Sequence, residues 1–168
     1  MAPDAPGGIN AVIFPVTSMQ AATDWVWSGA PVRFPNLKIV MAEGGIGWVP
    51  MLLDRIDYVM DHAGGCSYGA WTWKEVAPGA DLSPSEVLLR NFYFAVLDDR
   101  KTLELRNAIG VDHIMAEVDY PHADSTWPDS QRHFVEILAH LPVEEIRKIT
   151  HENAASLFRL PLPPEVRP

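Results

Sequence analysis

Ile114-Met115-Ala116-Glu117-Val118-Asp119-Tyr120-Pro121-His122 is the stretch that decides the fold. It reads as a buried strand over 112–119 that ends in a carboxylate, followed at once by a proline turn and a histidine. In an α/β barrel the C-terminal end of a strand faces the active-site mouth. A carboxylate held there by rigid backbone can bind a metal or take a proton. Asp is also a common turn-former at strand-to-loop junctions, so this segment alone does not separate a functional Asp119 from a capping one.

A second segment repeats the logic. Met41-Ala42-Glu43-Gly44-Gly45 places an acid at the end of the short apolar strand 38–42, and two glycines follow. The glycines would let a substrate or metal approach the backbone. The alternative is a flexible turn with Glu43 solvated. In parallel strands all C-terminal ends share one edge, so Glu43 and Asp119 are expected to open onto a common rim.

The rest of the chain alternates between strand and helix patterns. Residues 11–16 form a short apolar run read as a strand, with Thr17 or Ser18 capping a helix through Trp27 and Gly29 ending it. A helix is expected over 50–62 and a glycine-rich loop over 64–81, carrying Tyr68, Trp71 and Trp73. Ser83-Pro84-Ser85-Glu86 has the form of a capping box with proline at the first helical position. Asn91 to Leu97 is an aromatic, buried strand. Asp98 or Asp99 then caps a helix ending at Gly110. Further helices are expected from Thr126 to Ala139, from Pro142, and from a Thr150 cap through 151–160. Residues 1–10 read as an irregular arm and 161–168 as a proline-rich tail of one partial domain, 1–168.

Buried strands alternating with helices argue a parallel sheet covered by helices. Three or four strands are visible, and a closed eight-stranded barrel needs roughly 200–250 residues or more. The expectation is an α/β fold corresponding to the C-terminal portion of a (β/α)8 TIM barrel, with the barrel incomplete. A different reading, an open α/β binding domain, would require a complete sheet with a switch point.

The 168 residues, 48% hydrophobic and 21% charged, suffice for one domain with a real core. The net charge of −9 and the lack of any Lys/Arg run argue against nucleic acid. The single cysteine, Cys66, excludes an internal disulfide and fits a reducing compartment such as a bacterial cytoplasm. Met1 to Gly8 carries no basic leader. The longest uncharged stretch, 5–23, is too polar and broken for a membrane span. The expected partner is a small-molecule substrate, with neither nucleic acid nor membrane.

Several of these segments resemble one family. Phe34-Pro35-Asn36-Leu37-Lys38-Ile39-Val40, Ala42-Glu43-Gly44-Gly45, Asp119-Tyr120-Pro121-His122 and Glu152-Asn153-Ala154-Ala155 look like the amidohydrolase-related family. This is the branch that includes aminocarboxymuconate semialdehyde decarboxylase. The resemblance runs from about 15 to 160. It implies a (β/α)8 barrel with a divalent metal, commonly zinc, held by a His-x-His pair, a mid-barrel histidine and an Asp after the last strand. Asp119 matches that Asp. Glu43 stands where many members place a histidine that acts as base or polarises substrate.

Two departures matter. The chain has no His-x-His, and none of its six histidines supplies the mid-barrel ligand. The family's first half is therefore expected to be missing, with Pro3-Asp4-Ala5-Pro6 resembling the start of the segment after the mid-barrel histidine. At 43, Glu replaces His and cannot donate a hydrogen bond while ionised. Asp119 and Glu43 are the candidate catalytic residues, with Asp119 the metal ligand. Around them, His122 is expected to orient Asp119, Glu117 to share its strand face, and Trp48 to line the pocket. The implied activity is metal-dependent hydrolysis of a small organic substrate such as an aromatic carboxylate, with non-oxidative decarboxylation on the same scaffold as the alternative. Since the ligand set is poor, binding of the metal by this chain alone is in doubt. A non-catalytic remnant that self-associates through its open sheet is the remaining alternative.

Overall fold

The computed structural model describes residue 6 and residues 8–62 and 73–162. Cys66, Tyr68 and Trp71 lie outside the described residues. Three parallel strands form the sheet: β1 (Ile39–Met41), β2 (Phe92–Val96) and β3 (Ile114–Ala116), in the order β1-β2-β3. Met41 stands opposite Phe94, Phe94 opposite Ile114, and Val96 opposite Ala116. All three strands therefore deliver their C-terminal ends to one edge. The order contains no reversal, so the described sheet lacks the switch point that an open nucleotide-binding-type domain would need.

Helices flank this sheet: α1 (Ile9–Trp27), α2 (Ala30–Arg33), α3 (Trp48–Asp61), α4 (Pro84–Asn91), α5 (Arg106–Ile109), α6 (Ser130–Leu138), α7 (Val143–Arg147) and α8 (Asn153–Phe158). In α3 the buried residues Trp48, Val49, Leu52, Leu53 and Ile56 recur at helical spacing. They meet the fully buried Phe92, Phe94 and Val96 of the central strand in one core. The capping box before α4 forms as the sequence implied: the Glu86 amide donates to Ser83 Oγ and the Ser83 amide to Glu86 Oε2. Trp73 is buried and meets Trp27 edge-on at 6.1 Å, so it belongs to the core rather than to a pocket.

Five expectations need correction. Residues 73–76, expected as part of a loop, are helical. The apolar run 11–16 is part of α1, not a strand. A short apolar run is ambiguous by itself. What resolves it is the buried stripe Ser18, Ala22 and Val26, four residues apart, which continues the same helix into the core. Helicity also starts at Ile9, inside the arm expected to be irregular. The strand expected over 112–119 is shorter, because Val111–His113 form a 3₁₀ turn before β3. Past Ala116 the ladder survives for one residue, the Glu117 amide donating to the Val96 carbonyl at 2.9 Å. Thr150 caps nothing. It sits in a π turn (Lys148–Glu152) between α7 and α8, and its hydroxyl donates back to the Ile146 carbonyl at 2.7 Å.

Two buried asparagines tie the entry ends of the strands. Asn91 Nδ2 donates to the Leu37 carbonyl at 2.6 Å, ahead of β1. Asn153 Nδ2 donates to the carbonyls of Val111 (2.8 Å) and Ile114 (2.7 Å), fixing α8 against β3. His113 Nδ1 lies 2.8 Å from the Phe92 carbonyl at the same end, in keeping with a structural role remote from the strand tips. Removing the Asn153 amide leaves two carbonyls short of a partner at a site that is 8% exposed. Asn153→Ala is expected to cost about 1–3 kcal/mol of stability in urea unfolding, whereas an exposed substitution such as Val135→Ala is expected to stay within about 0.5 kcal/mol.

Candidate functional site

Glu43 and Asp119 both leave their strands in the left-handed backbone region, each with φ of 59°. Few non-glycine residues do so, and such strain gathers where function over-determines the backbone. The turn aims both carboxylates over the same sheet edge. With His122 they offer three ligand atoms that lie within 4.8 Å of one another. The convergence expected of residues 43 and 119 is thus what the structure has.

Glu117 makes the link between the outer strands. Its Oε2 accepts the Glu43 amide at 2.7 Å. β1 and β3 are not neighbours in the sheet, so this bond joins the two loops that leave the outer strands. Burial raises the Glu117 pKa above the ordinary carboxylate value. The Glu43 amide opposes that rise, and the charges of Glu43 and Asp119 add to it.

His122 Nδ1 lies 2.6 Å from Asp119 Oδ2. The Asp119 side chain is 15% exposed and that of His122 is 62% exposed, so a sheltered acid faces a solvated base. The hydrogen bond and charge of Asp119 raise the imidazole pKa. This is the pairing expected of His122, and it leaves Nε2 directed elsewhere.

These groups border a cavity of about 610 Å³. Among the described residues, Glu43, Asp98, Asp99, Glu117, Asp119 and Asp124 supply six carboxylates to its lining, and neither Lys nor Arg contributes. Phe14, Pro15, Trp48 and Leu97 form the apolar part. Trp48 therefore lines the pocket as expected, but its indole N–H is committed to the Gly44 carbonyl at 3.0 Å. Asp124 also reaches the lining, while Ser125 and Trp127 do not.

The glycines after Glu43 line the cavity, and they also make room within the protein. A Cβ on Gly44 would collide with the buried Ser18 of α1. On Gly45, whose φ is +60°, it would stand 3.0 Å from Asp99 Oδ1. The sequence reading treated Asp99 as a helix cap and missed its place in the cavity wall. A carboxylate three residues past the end of β2 was the available signal, the same one that marked Glu43 and Asp119.

Two outcomes follow from this geometry. Glu43→Gly removes the left-handed penalty and is expected to raise stability by about 1 kcal/mol, read from urea unfolding, while deleting one of the three ligand groups. In the metal-free chain the His122 ring is expected to titrate above the ordinary imidazole value by NMR, and to fall back in Asp119→Asn. The sign is that of a raised base: the pair's contribution is full below the unfolded pKa and is lost as pH rises through the folded one.

The family profile described as Amidohydrolase matches residues 5–160. An amidohydrolase from Mycobacterium avium subsp. paratuberculosis K-10 is similar in structure, with TM-score 0.65 and 27% identity over 83% of this chain and 32% of that one. So is 5-carboxyvanillate decarboxylase LigW from Sphingomonas paucimobilis, with TM-score 0.64 and 28% identity over 86% of this chain and 40% of that one. No curated protein matches the chain. The chain spans 32% and 40% of the length of these solved structures, and its three parallel strands with their helices form part of the same α/β barrel. With the profile covering nearly every residue and the fold agreeing, the chain belongs to the amidohydrolase family.

Proposed function

We propose that this chain carries part of a divalent-metal centre, zinc being the first choice, for hydrolysis of a small organic substrate. The observation behind the reading is the convergence of Glu43, Asp119 and His122 at the strand tips. The donor set fits such an ion: two hard carboxylates and one imidazole nitrogen. Donors about 2.0–2.2 Å from a shared ion lie within about 4.4 Å of each other, so side-chain rotation suffices to gather a set now within 4.8 Å. Among the described residues the lining carries six acids; Asp98 is paired with Arg100 and Asp119 with His122, and the surplus of carboxylates favours a cation in the cavity.

When bound, the ion would acidify a water and polarise a substrate carbonyl or carboxylate. Asp119 presents one oxygen as ligand and can accept a proton on the other. His122 holds that carboxylate in orientation through Nδ1. Glu43 offers a second base in the same cluster. Phe14, Trp48 and Leu97 shelter the apolar body of the substrate from water. Decarboxylation of an aromatic carboxylate is the second chemistry, supported by the similarity to the LigW structure. Its substrate would bring an anion into an acidic cavity, which requires the metal's charge for compensation.

A non-catalytic, self-associating chain is the reading this must beat, since β1 and β3 are both sheet edges among the described residues. Titration of the purified chain with zinc and manganese separates them. The metal reading expects stoichiometric binding that weakens at least about 100-fold in Asp119→Asn and about tenfold in His122→Ala. Absence of binding, together with a concentration-dependent sedimentation coefficient, would establish the self-associating chain instead. For the chemistry, release of carbon dioxide from aromatic carboxylates marks the lyase, and turnover of esters, lactones or amides marks the hydrolase.

A further inference from the structure

We propose that Asp99 is a positioning residue for Glu43. It lies three residues past β2, the strand that separates β1 from β3. Its side chain joins the β1 loop to its own turn: Oδ1 accepts the Ile46 amide at 3.1 Å and the Thr102 hydroxyl at 2.7 Å. The Asp99 carbonyl also accepts the Leu103 amide at 2.9 Å, which anchors the residue to its own 3₁₀ turn (Thr102–Leu105). Ile46 and Leu103 are fully buried. The bond therefore joins two points of the core and not two mobile tips.

The fit around this carboxylate is close. Gly45 passes so near Asp99 that a Cβ would meet its carboxylate, and a Cβ on Gly47 would collide with the Thr102 methyl. The segment 43–48 is thus held at three places. Glu117 takes the Glu43 amide, Asp99 takes the Ile46 amide, and the Trp48 indole donates to the Gly44 carbonyl. Of these, only Asp99 comes from the middle strand's loop. A left-handed Glu43 is uphill by itself, so the loop keeps that conformation only while its far end is fixed. Releasing Ile46 lets Glu43 relax toward ordinary backbone angles and carries its carboxylate away from Asp119 and His122. Asp99 thereby acts on the candidate centre through Glu43, at no contact of its own with a ligand atom.

The metal half of the test rests on the proposed metal centre; the exchange half does not. Hydrogen exchange of the Glu43 and Ile46 amides is measured in the full 168-residue chain, alongside isothermal titration with zinc and with manganese. Asp99→Ala is expected to speed exchange at both amides on the order of tenfold and to weaken metal binding about tenfold. Asp99→Asn keeps an acceptor oxygen and is expected to restore both. In a Glu43→Ala background, Asp99→Ala should cost no further affinity, because the effect runs through residue 43. Should Asp99→Ala not fold, Thr102→Val removes the second donor, and faster exchange at Ile46 and Glu43 is again expected.

Unchanged exchange at Glu43 in Asp99→Ala, or in Thr102→Val where only that variant folds, overturns the proposal. So does an affinity loss of the same size in the Glu43→Ala background. A wild-type chain that binds neither metal sinks the metal centre, and the exchange data then decide the positioning role alone.

Discussion

The structure depends on parallel pairing of three very short strands. β1 and β3 contribute three residues each and β2 five. Parallel pairing gives every strand the same direction, so whatever follows each one emerges on the same edge. Acids follow all three: Glu43 after β1, Asp98 and Asp99 after β2, and Glu117 and Asp119 after β3. Like charges so close repel, and burial penalises them further. The rise in the Glu117 pKa records that cost. The protein meets it by turning two of the acids into acceptors for backbone amides, at Glu43 and Ile46, and by setting His122 against a third.

That division of labour explains an arrangement which would otherwise look like a surplus of carboxylates. Glu117 and Asp99 hold the β1 loop. Glu43, Asp119 and His122 remain grouped at the strand tips, where the proposed metal centre would lie. The left-handed backbone at both Glu43 and Asp119 is the local consequence. Each chain segment must turn sharply off its strand to direct its side chain over the sheet edge, and the hydrogen bonds around the turn keep it there. At the opposite edge the buried amides of Asn91 and Asn153 perform the matching task on the strand entries. The edge at the strand tips is acidic and borders the cavity, and the entry edge is held by buried amides.

Much of this was legible in the residues. Apolar, β-branched or aromatic runs bounded by turn residues marked β1 and β2 to within a residue or so, because burial on both faces demands such composition. The capping box before α4 was readable because both partners lie within four residues. An acid at a strand end is also a local pattern, which is why Glu43, Glu117 and Asp119 could be named together with His122. Failures occurred where the deciding partner was distant. The run 11–16 has the composition of a strand, but Ser18, Ala22 and Val26 had to find the core before the helix could be recognised. Asp99 had a plausible local duty as a cap, and nothing near it in sequence indicated the Ile46 amide 53 residues away.

By itself, the sequence determined the class of fold, the direction of the strands and the chemical types gathered at their tips. Those follow from hydrophobic pattern and from side-chain identity, both of which are local. Only the tertiary structure decided which acids are committed to backbone amides and which stay open, and that the glycines after Glu43 make room for Ser18 and Asp99. Those outcomes depend on distances between segments far apart along the chain. They are set when the strands pair and the loops close over one another.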